Sequence, residues 1–166
     1  MAALAVEIRT TLRPRDFGTI VHLHGLLFGR EYGLDTTFEP YVSRTLADFV
    51  LEGTGRLWVA DDNGHVLGTI GIVHAEPEVA QLRWFLLVPE SRGLGLGKQL
   101  LNEALAYCRV QNMQRVFLHT FADLKTAIRL YERAGFTVAE QKRHWLWGAE
   151  RTDARMELLL RPTEFH

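Results

Sequence analysis

The sequence is poor in cysteine, in net charge and in long apolar runs. Cys108 is the only cysteine among the 166 residues, which excludes an intrachain disulfide and any multi-cysteine metal site. Nineteen basic residues balance twenty acidic ones, so no basic excess is present to neutralise the phosphates of a nucleic acid. No apolar run approaches the roughly 20 residues that span a bilayer. We therefore expect a cytoplasmic protein in a reducing compartment, with no metal, nucleic acid or membrane as a partner.

The chain also lacks a linker rich in proline, glycine or serine, and no internal repeat is visible. Its length fits one domain, which we predict to span residues 1–166, and a hydrophobic content of 47% is enough for a packed core. The apolar start, residues 1–6, lacks a basic leader and is interrupted by Glu7 and Arg9. It is typical of the approach to a strand and not of a signal peptide.

Hydrophobic periodicity predicts the order β-α-α-β-β-β-α-β-α-β-β, a mixed α/β domain. The predicted strands cover residues 5–11, 57–60, 66–73, 79–88, 115–121, 136–147 and 155–160. The predicted helices cover 14–28, 37–51, a stretch after residue 97 and 124–134. A break over 29–33 separates the first two helices. The tripeptide Asp62-Asn63-Gly64 is a strong signal for a hairpin between two strands.

A glycine-rich run follows the fourth predicted strand and precedes a helix. It reads Arg92-Gly93-Leu94-Gly95-Leu96-Gly97-Lys98. The glycines allow close backbone approach and positive φ, while the helix that follows directs its free amides and positive dipole end at the run. Arg92 and Lys98 add cationic side chains suited to phosphate oxygens. The run predicts a pyrophosphate site, the alternative being a flexible strand-to-helix connection.

Two motifs on this order of elements resemble the GCN5-related N-acetyltransferase (GNAT) family. The first is the strand and R-x-x-G-x-G loop over residues 86–97, and the second is Leu130-Tyr131-Glu132-Arg133-Ala134-Gly135-Phe136. The resemblance covers nearly the whole chain. It implies a GNAT fold, with a central, mixed and mostly antiparallel sheet of about seven strands, four helices, and strands 4 and 5 splayed apart by a bulge. Residues 24–38 and 121–136 more narrowly resemble the acetyltransferase half of fusions with a MarR-type DNA-binding domain, although we expect no such upstream domain here.

The resemblance implies acetyl-coenzyme A (acetyl-CoA) as the cosubstrate. The backbone of Leu86, Leu87 and Val88 would bond the pantetheine amides, and a backbone amide near Val88 would be the oxyanion donor. The pyrophosphate would lie on the amides of the loop, that is Arg92, Gly93, Leu94, Gly95, Leu96, Gly97 and Lys98. Many members carry an asparagine seven residues before the motif tyrosine. Leu124 occupies that position here, which puts one pantetheine contact in doubt.

Direct attack of a neutral amine on a thioester needs a base, an oxyanion donor and an acid. Tyr131 is the predicted catalytic acid, because the resemblance implies that its hydroxyl lies near the coenzyme sulfur and a phenol stays protonated at neutral pH. The alternative for Tyr131 is core packing on one helix face. The base stays open among an ordered water and five side chains, namely Glu31 and Tyr32 in the predicted loop, Glu76, Glu78 and His119.

For several other residues that could suggest a metal, nucleophile or binding site, the sequence favours or equally allows a structural role. His22 and His24 project about 200° apart on a helix and cannot chelate one ion together, so helix packing and a solvated face are predicted for them. Cys108 lies on an apolar helix stripe as a small hydrophobe. Trp145 and Trp147 alternate with polar neighbours, so both should face one side of the last hairpin, lining a cleft, forming a dimer contact or packing in the core. The cluster 142–144 suits a solvated strand face, with attraction of an acidic acceptor as the alternative.

The sequence thus predicts transfer of an acetyl group from acetyl-CoA to a primary amine, with a small molecule as the favoured acceptor. Two alternatives stay open: a peptide or protein amine as acceptor, and a non-catalytic acyl-CoA-binding sensor on the same fold. Retention of Tyr131 favours the enzyme, and the apolar Leu124 favours the sensor. A homodimer is compatible with the family.

Overall fold

The computed structural model describes residues 5–160, which form one seven-stranded sheet and four helices. The elements are β1 Val6–Arg9, α1 Asp16–Tyr32, α2 Phe38–Glu52, β2 Gly55–Asp62, β3 His65–Glu76, β4 Val79–Leu87, α3 Leu96–Val110, β5 Arg115–Phe121, α4 Lys125–Ala134, β6 Thr137–Leu146 and β7 Ala149–Leu159. This order and the mixed, mostly antiparallel sheet confirm the predicted fold class. Most of the segment predicted as an approach to the first strand, residues 1–4, lies outside the described part.

The strands lie in the order β1-β2-β3-β4-β5-β7-β6. Every neighbouring pair is antiparallel except β4 and β5, which are parallel. The predicted hairpin between β2 and β3 is confirmed. Asn63 and Gly64 form its two-residue turn with φ angles of 49° and 90°, the positive values that a type I′ turn needs.

Helices cover both faces of the sheet, and alternate residues of β2 show this directly. Leu57 and Val59 pack in a cluster with residues of α1 and α2, whereas Trp58 and Ala60 pack in a cluster with residues of α3. Cys108 lies fully buried in the second cluster, as predicted, and burial raises the pKa of its thiol to about 12. In the described part of the chain, no helix has the length and apolar character needed to cross a membrane.

The first helix is longer than predicted. It continues through Gly29 to Tyr32, and Gly33 is the residue that ends it, with a φ of 67° and an amide that donates to the Gly29 carbonyl. A single glycine inside a helix costs only about 1 kcal/mol, which the packing of the surrounding turns outweighs. Glu31 and Tyr32 therefore lie in the last helical turn and not in a loop.

The last strand is also longer than predicted, because β7 begins at Ala149 and not at Arg155. Its buried positions near the start are Arg151 and Ala154, so the first half lacks the large apolar residues that mark a strand. Trp147 and Gly148, with φ angles of 49° and 93°, form a tight turn between β6 and β7.

A buried ion-pair network ties the start of α1 to the first two strands. The Arg9 guanidinium lies 2.8 Å from carboxylate oxygens of both Asp16 and Asp61, and all three side chains are less than one-tenth exposed. Asp16 also accepts the Arg13 amide at 2.6 Å. Arg9 thus neutralises two buried carboxylates at once.

Candidate active site

Strands β4 and β5 pair only over a short segment and then separate. Residues Val79–Gln81 pair with Arg115–Phe117, and no pairing follows toward the carboxyl ends of these strands among the described residues. Beyond this point, the backbone N–H and C=O groups on the facing edges of β4 and β5 no longer pair across the gap. The structure thus confirms the predicted splay.

A bulge in β4 accompanies this separation. Trp84 and Phe85 both lie opposite Ile70 of β3, where one residue would be expected. Trp84 has a φ of 50°, which is strained for a bulky residue, and the Thr69 hydroxyl donates to its carbonyl at 2.6 Å. The next pairs return to regular register, so the bulge redirects the end of β4.

Beyond the bulge, Leu87 directs its peptide groups into the gap. The Val88 amide donates to the Leu67 carbonyl at 2.9 Å, so those two residues form a hydrogen-bonded pair of the β3–β4 ladder. Such pairs alternate with non-bonded ones in an antiparallel ladder, and Leu87 opposite Gly68 is the non-bonded one. The Val88 amide is therefore bonded to β3, and the alternation places the Leu87 amide, next to Val88, on the side of β4 that faces the gap.

The glycine-rich loop follows a single 3-10 turn, Pro89–Ser91, and leads directly into α3. Gly93 and Gly95 have φ angles of 78° and 82°, and a Cβ at either position would meet nothing within 4 Å. Gly97 differs, since a Cβ there would lie 3.0 Å from a methyl carbon of Leu87. The first two glycines therefore present open backbone at the helix start, and the third allows α3 to pack closely on β4.

The Arg92 side chain, which the sequence suggests for phosphate oxygens, contacts groups of two other elements in this structure. Its guanidinium donates to the Leu87 carbonyl at 3.0 and 3.1 Å and forms a paired contact with the Glu31 carboxylate, with one N···O distance of 2.8 Å. Arg92 thus joins the end of α1 to the end of β4 and holds Leu87 in place. Lys98 lies exposed in the first turn of α3.

A cavity of about 140 Å³ opens between α1, α2 and the separated strands. Its walls are rich in aromatic side chains, which come from both helices, β4, β5, α4 and the last turn: Phe28, Phe38, Tyr41, Trp84, Phe85, Phe121, Tyr131 and Trp147. Phe38 and Trp147 meet edge to face, with centroids 4.9 Å apart. Such walls suit an apolar guest of small size.

The last turn closes one side of this cavity. The Trp147 carbonyl accepts the Asp35 amide at 3.0 Å, and a Cβ on Gly148 would collide with the Asp35 side chain. Trp145 is 71% exposed on β6, so the prediction that Trp145 and Trp147 face the same side is wrong. The positive φ of Trp147 reverses the chain there and breaks the strand alternation.

Tyr131 lies on α4 and borders the cavity. It is 6% exposed, and its ring packs between Phe85 and Phe136 with centroid distances of 5.9 and 5.8 Å. Burial raises the pKa of its hydroxyl, so Tyr131 keeps its proton throughout the neutral range. The residue packs in the core and borders the cavity at the same time. Leu124, at the start of α4, borders it too.

The five candidate bases are not brought together. Glu76 and Glu78 flank the turn between β3 and β4, roughly 20 Å along the strand from the bulge at about 3.3 Å per residue. Glu31 is held by Arg92, as described above. Neither arrangement places a carboxylate in the cavity.

Tyr32 and His119 lie closer. Tyr32 packs edge-on against Phe121, and burial raises the pKa of its hydroxyl, which leaves it protonated. His119 borders the cavity, and its Nδ1 lies 3.7 Å from Asp153, which His144 also approaches at 3.5 Å. Among the five candidate side chains, His119 is the one that lines the cavity. The cluster 142–144 is otherwise exposed, as expected for a solvated face.

Sequence reasoning gave no site role to several residues that border the cavity, among them His24 and Thr120. His24 is 3% exposed whereas His22 is exposed, which confirms that the two histidines point apart. Val116 and Leu118 are buried, inward-facing positions of β5, and Thr120 is the next position in that alternation. The alternation in the sequence therefore could have predicted an inward-facing Thr120. In residues 5–160, no group of three or more His, Cys, Asp or Glu side chains is arranged to hold a metal ion.

Comparison with known proteins agrees with this geometry. Residues 12–136 match the model of the Acetyltransferase (GNAT) family, which is most of the chain. The chain belongs to this acetyltransferase family. The GNAT match runs from the start of α1 past the Tyr131 motif and so includes the bulge, the glycine loop and α4. It ends before the hairpin that supplies Trp147.

Individual GNAT relatives show similar matches. The uncharacterised N-acetyltransferase YjgM of Escherichia coli is 38% identical over 82 residues, which cover 48% of this chain and 49% of that protein. An uncharacterised N-acetyltransferase of Schizosaccharomyces pombe is 30% identical over 119 residues, 69% of this chain and 73% of the relative. The chain thus spans about half the length of the first relative. The structure of yncA, a putative acetyltransferase from Salmonella typhimurium with its cofactor acetyl-CoA, shares the fold at a TM-score of 0.73 and 20% identity, covering 97% of each chain.

Proposed function

We propose that the protein transfers an acetyl group from acetyl-CoA to the primary amine of a small molecule. The observation that supports this most is the gap beyond the β4 bulge, where the Leu87 peptide groups have no strand to pair with. That gap lies between an open glycine loop and an aromatic-lined cavity. One ligand with amides and a pyrophosphate fits the first two features, and a separate amine fits the third.

The residues present suit acetyl-CoA. The Leu87 carbonyl would accept a hydrogen bond from an amide of the pantetheine arm, and the amides around Gly93 and Gly95 at the start of α3 would hold the pyrophosphate. For Leu87 to do so, the Arg92 guanidinium must release the Leu87 carbonyl that it holds. Leu86 and Val88, predicted as further pantetheine contacts, would support Leu87 through the ladder to β3. Acetyl-CoA, when bound, supplies an activated acetyl thioester.

Two groups of the protein can donate a proton or stabilise negative charge during the transfer. The buried Tyr131 hydroxyl keeps its proton and can donate it to a departing thiolate. The Leu87 amide can donate a hydrogen bond to an oxygen on which negative charge develops. The cavity's size and its aromatic walls favour a small acceptor over a protein side chain held in an open channel. A cytoplasmic location, a homodimer and the MarR-fusion resemblance stay predictions.

A sensor that binds an acyl-CoA without turnover is the second candidate, because Leu124 offers no polar contact to the coenzyme from α4. Calorimetry with acetyl-CoA, followed by thiol release from a panel of amines and amine-bearing peptides, separates the alternatives. Binding with thiol release for small amines supports the proposal. Thiol release only with peptides would make the acceptor a peptide or protein amine. Binding of acetyl-CoA without thiol release supports the sensor, and no binding of acetyl-CoA contradicts both candidates.

The loop assignment predicts that Gly95→Val weakens acetyl-CoA binding by at least about tenfold. Valine at a φ of 82° is strained, so the loop must rearrange and its amides lose their common direction. Gly64→Val is the matched control, since Gly64 has a φ of 90° and open space around it but lies in the β2–β3 turn. Both variants should lose about 1–2 kcal/mol of stability, and only Gly95→Val should change the dissociation constant in calorimetry. Equal affinities would contradict the pyrophosphate assignment.

A further inference from the structure

Two buried polar atoms in the described part of the chain have no hydrogen-bond partner, and both belong to residues that border the aromatic cavity. They are His24 Nε2 and Thr120 Oγ1. The two residues belong to α1 and β5, so only the fold places both at one cavity, and they are 3% and 5% exposed. An unpaired buried polar atom costs about 1–3 kcal/mol, and native proteins pair nearly all of them. Two such atoms at one cavity indicate a ligand that pairs with them.

The hydrogen bonding of His24 fixes what its free nitrogen can do. Nδ1 lies 2.8 Å from the Ile20 carbonyl oxygen, which only accepts, so Nδ1 carries the proton. Burial lowers the pKa of His24 to about 4, an effect that this bond only partly offsets. The ring is therefore neutral at pH 7, and Nε2 presents a lone pair. Parallel stacking on Phe28, with centroids 5.8 Å apart, holds the ring in this orientation.

Thr120 offers a complementary group, because a hydroxyl both donates and accepts. A neutral primary amine has two N–H bonds and one lone pair. It can donate one N–H to His24 and the other to Thr120, which leaves its lone pair free to attack. An ammonium ion has no free lone pair, and the neutral His24 imidazole offers it no counter-charge.

The other lining residues indicate the chemical character of the acceptor apart from its amino group. Asp153 is the one carboxylate among the lining residues, and it is partly exposed beside His119 and His144. Arg83, also partly exposed, places a positive charge on the same lining. A polyamine with several charges finds too few carboxylates here, whereas an aromatic or branched alkyl group matches the walls.

We propose that His24 Nε2 and Thr120 Oγ1 bind the amino group of the acceptor in its neutral form, and that the acceptor is a primary amine on an apolar body. The inference rests on the proposed function and names its substrate class. His24 receives a hydrogen bond and positions the nitrogen, while the aromatic walls select the body.

Steady-state thiol release with 2-phenylethylamine and spermidine tests the substrate class. Wild-type protein should use 2-phenylethylamine with a kcat/KM at least tenfold above that for spermidine. A preference for spermidine overturns the class, even though it supports acetyl transfer itself. Failure to bind acetyl-CoA, measured separately by calorimetry, contradicts the proposed function instead.

Substitutions test the two polar groups. His24→Phe fills the same space without an acceptor atom and should raise the KM for 2-phenylethylamine at least tenfold, with an unchanged acetyl-CoA dissociation constant. His24→Gln restores an acceptor and should recover most of the loss, and Thr120→Val should raise the KM severalfold. His22→Phe, on the exposed side of the same helix, is the matched control. An unchanged KM in His24→Phe overturns the inference.

An NMR titration of the wild-type protein tests the His24 assignment without relying on variants that could misfold. Titration of the CoA-bound protein with 2-phenylethylamine should shift the ¹⁵N resonance of His24 Nε2 and leave that of His22 in place. A His24 resonance that does not move at saturating amine overturns the assignment.

Discussion

Replacing Tyr131 with phenylalanine should lower kcat by about 100-fold or more while leaving acetyl-CoA affinity within about twofold. General acid catalysis typically contributes 10² to 10⁴ in rate, and Tyr131 is a buried phenol that borders the cavity. The phenyl ring preserves the packing against Phe85 and Phe136. The substitution therefore removes the hydroxyl proton of Tyr131 and keeps its aromatic ring in the cavity lining.

The control for this experiment is Tyr107→Phe. Tyr107 lies on α3, and its hydroxyl bonds His74 Nε2 at 2.9 Å outside the cavity. Thiol release at saturating substrate gives kcat for both variants, and calorimetry gives the coenzyme dissociation constant. We expect Tyr107→Phe to keep wild-type turnover. A Tyr131→Phe protein that turns over at the wild-type rate would show that Tyr131 serves only as packing.

Arg9→Ala should lower the free energy of unfolding by about 3–5 kcal/mol, the cost of leaving buried charges without their partner. Arg9 faces two carboxylates, Asp16 and Asp61, and no other described side chain approaches both within hydrogen-bond distance. Denaturant unfolding measures the loss. Arg13→Ala is the control, because that side chain is 56% exposed and its contacts of 3.8 Å are worth less than about 1 kcal/mol. Equal losses in the two variants would contradict a special role for Arg9.

The same network predicts a pH dependence. Burial alone would raise the pKa of the Asp16 carboxyl, but the bonds from Arg9 and the Arg13 amide outweigh burial and hold that pKa below its ordinary value. A lowered folded-state pKa stabilises the protein above the unfolded value of about 4, and this contribution disappears as the pH falls below it. Unfolding free energies measured between pH 6 and 3 should therefore fall more steeply for wild-type protein than for Asp16→Asn.

Much of the fold was predictable because strong local signals agree with each other. The tripeptide at Asp62 fixed one hairpin, and helical spacing located the buried stripe with Cys108. The two boundary errors have a shared cause. At Gly29 and at Arg151, tertiary packing decides the outcome, so a helix continues through glycine and a strand begins without large apolar residues.

The candidate site was predictable only where backbone chemistry defines it. The glycine loop follows from sequence because positive φ and close approach require glycine at particular positions. The aromatic cavity does not, since its lining residues come from seven separated segments. Arg92 could not be assigned either, because its partner Glu31 lies 61 residues away and only the fold brings them together.

The docking of the Trp147 turn on Asp35 has a consequence for how such proteins diversify. The proposed coenzyme contacts lie within one contiguous stretch, residues 86–98, whereas a wall of the acceptor cavity comes from a hairpin beyond the family match. Exchange of the segment 137–159 between relatives would replace that wall without touching the glycine loop. A change in this hairpin can thus reshape the proposed acceptor cavity while the proposed coenzyme contacts stay as they are.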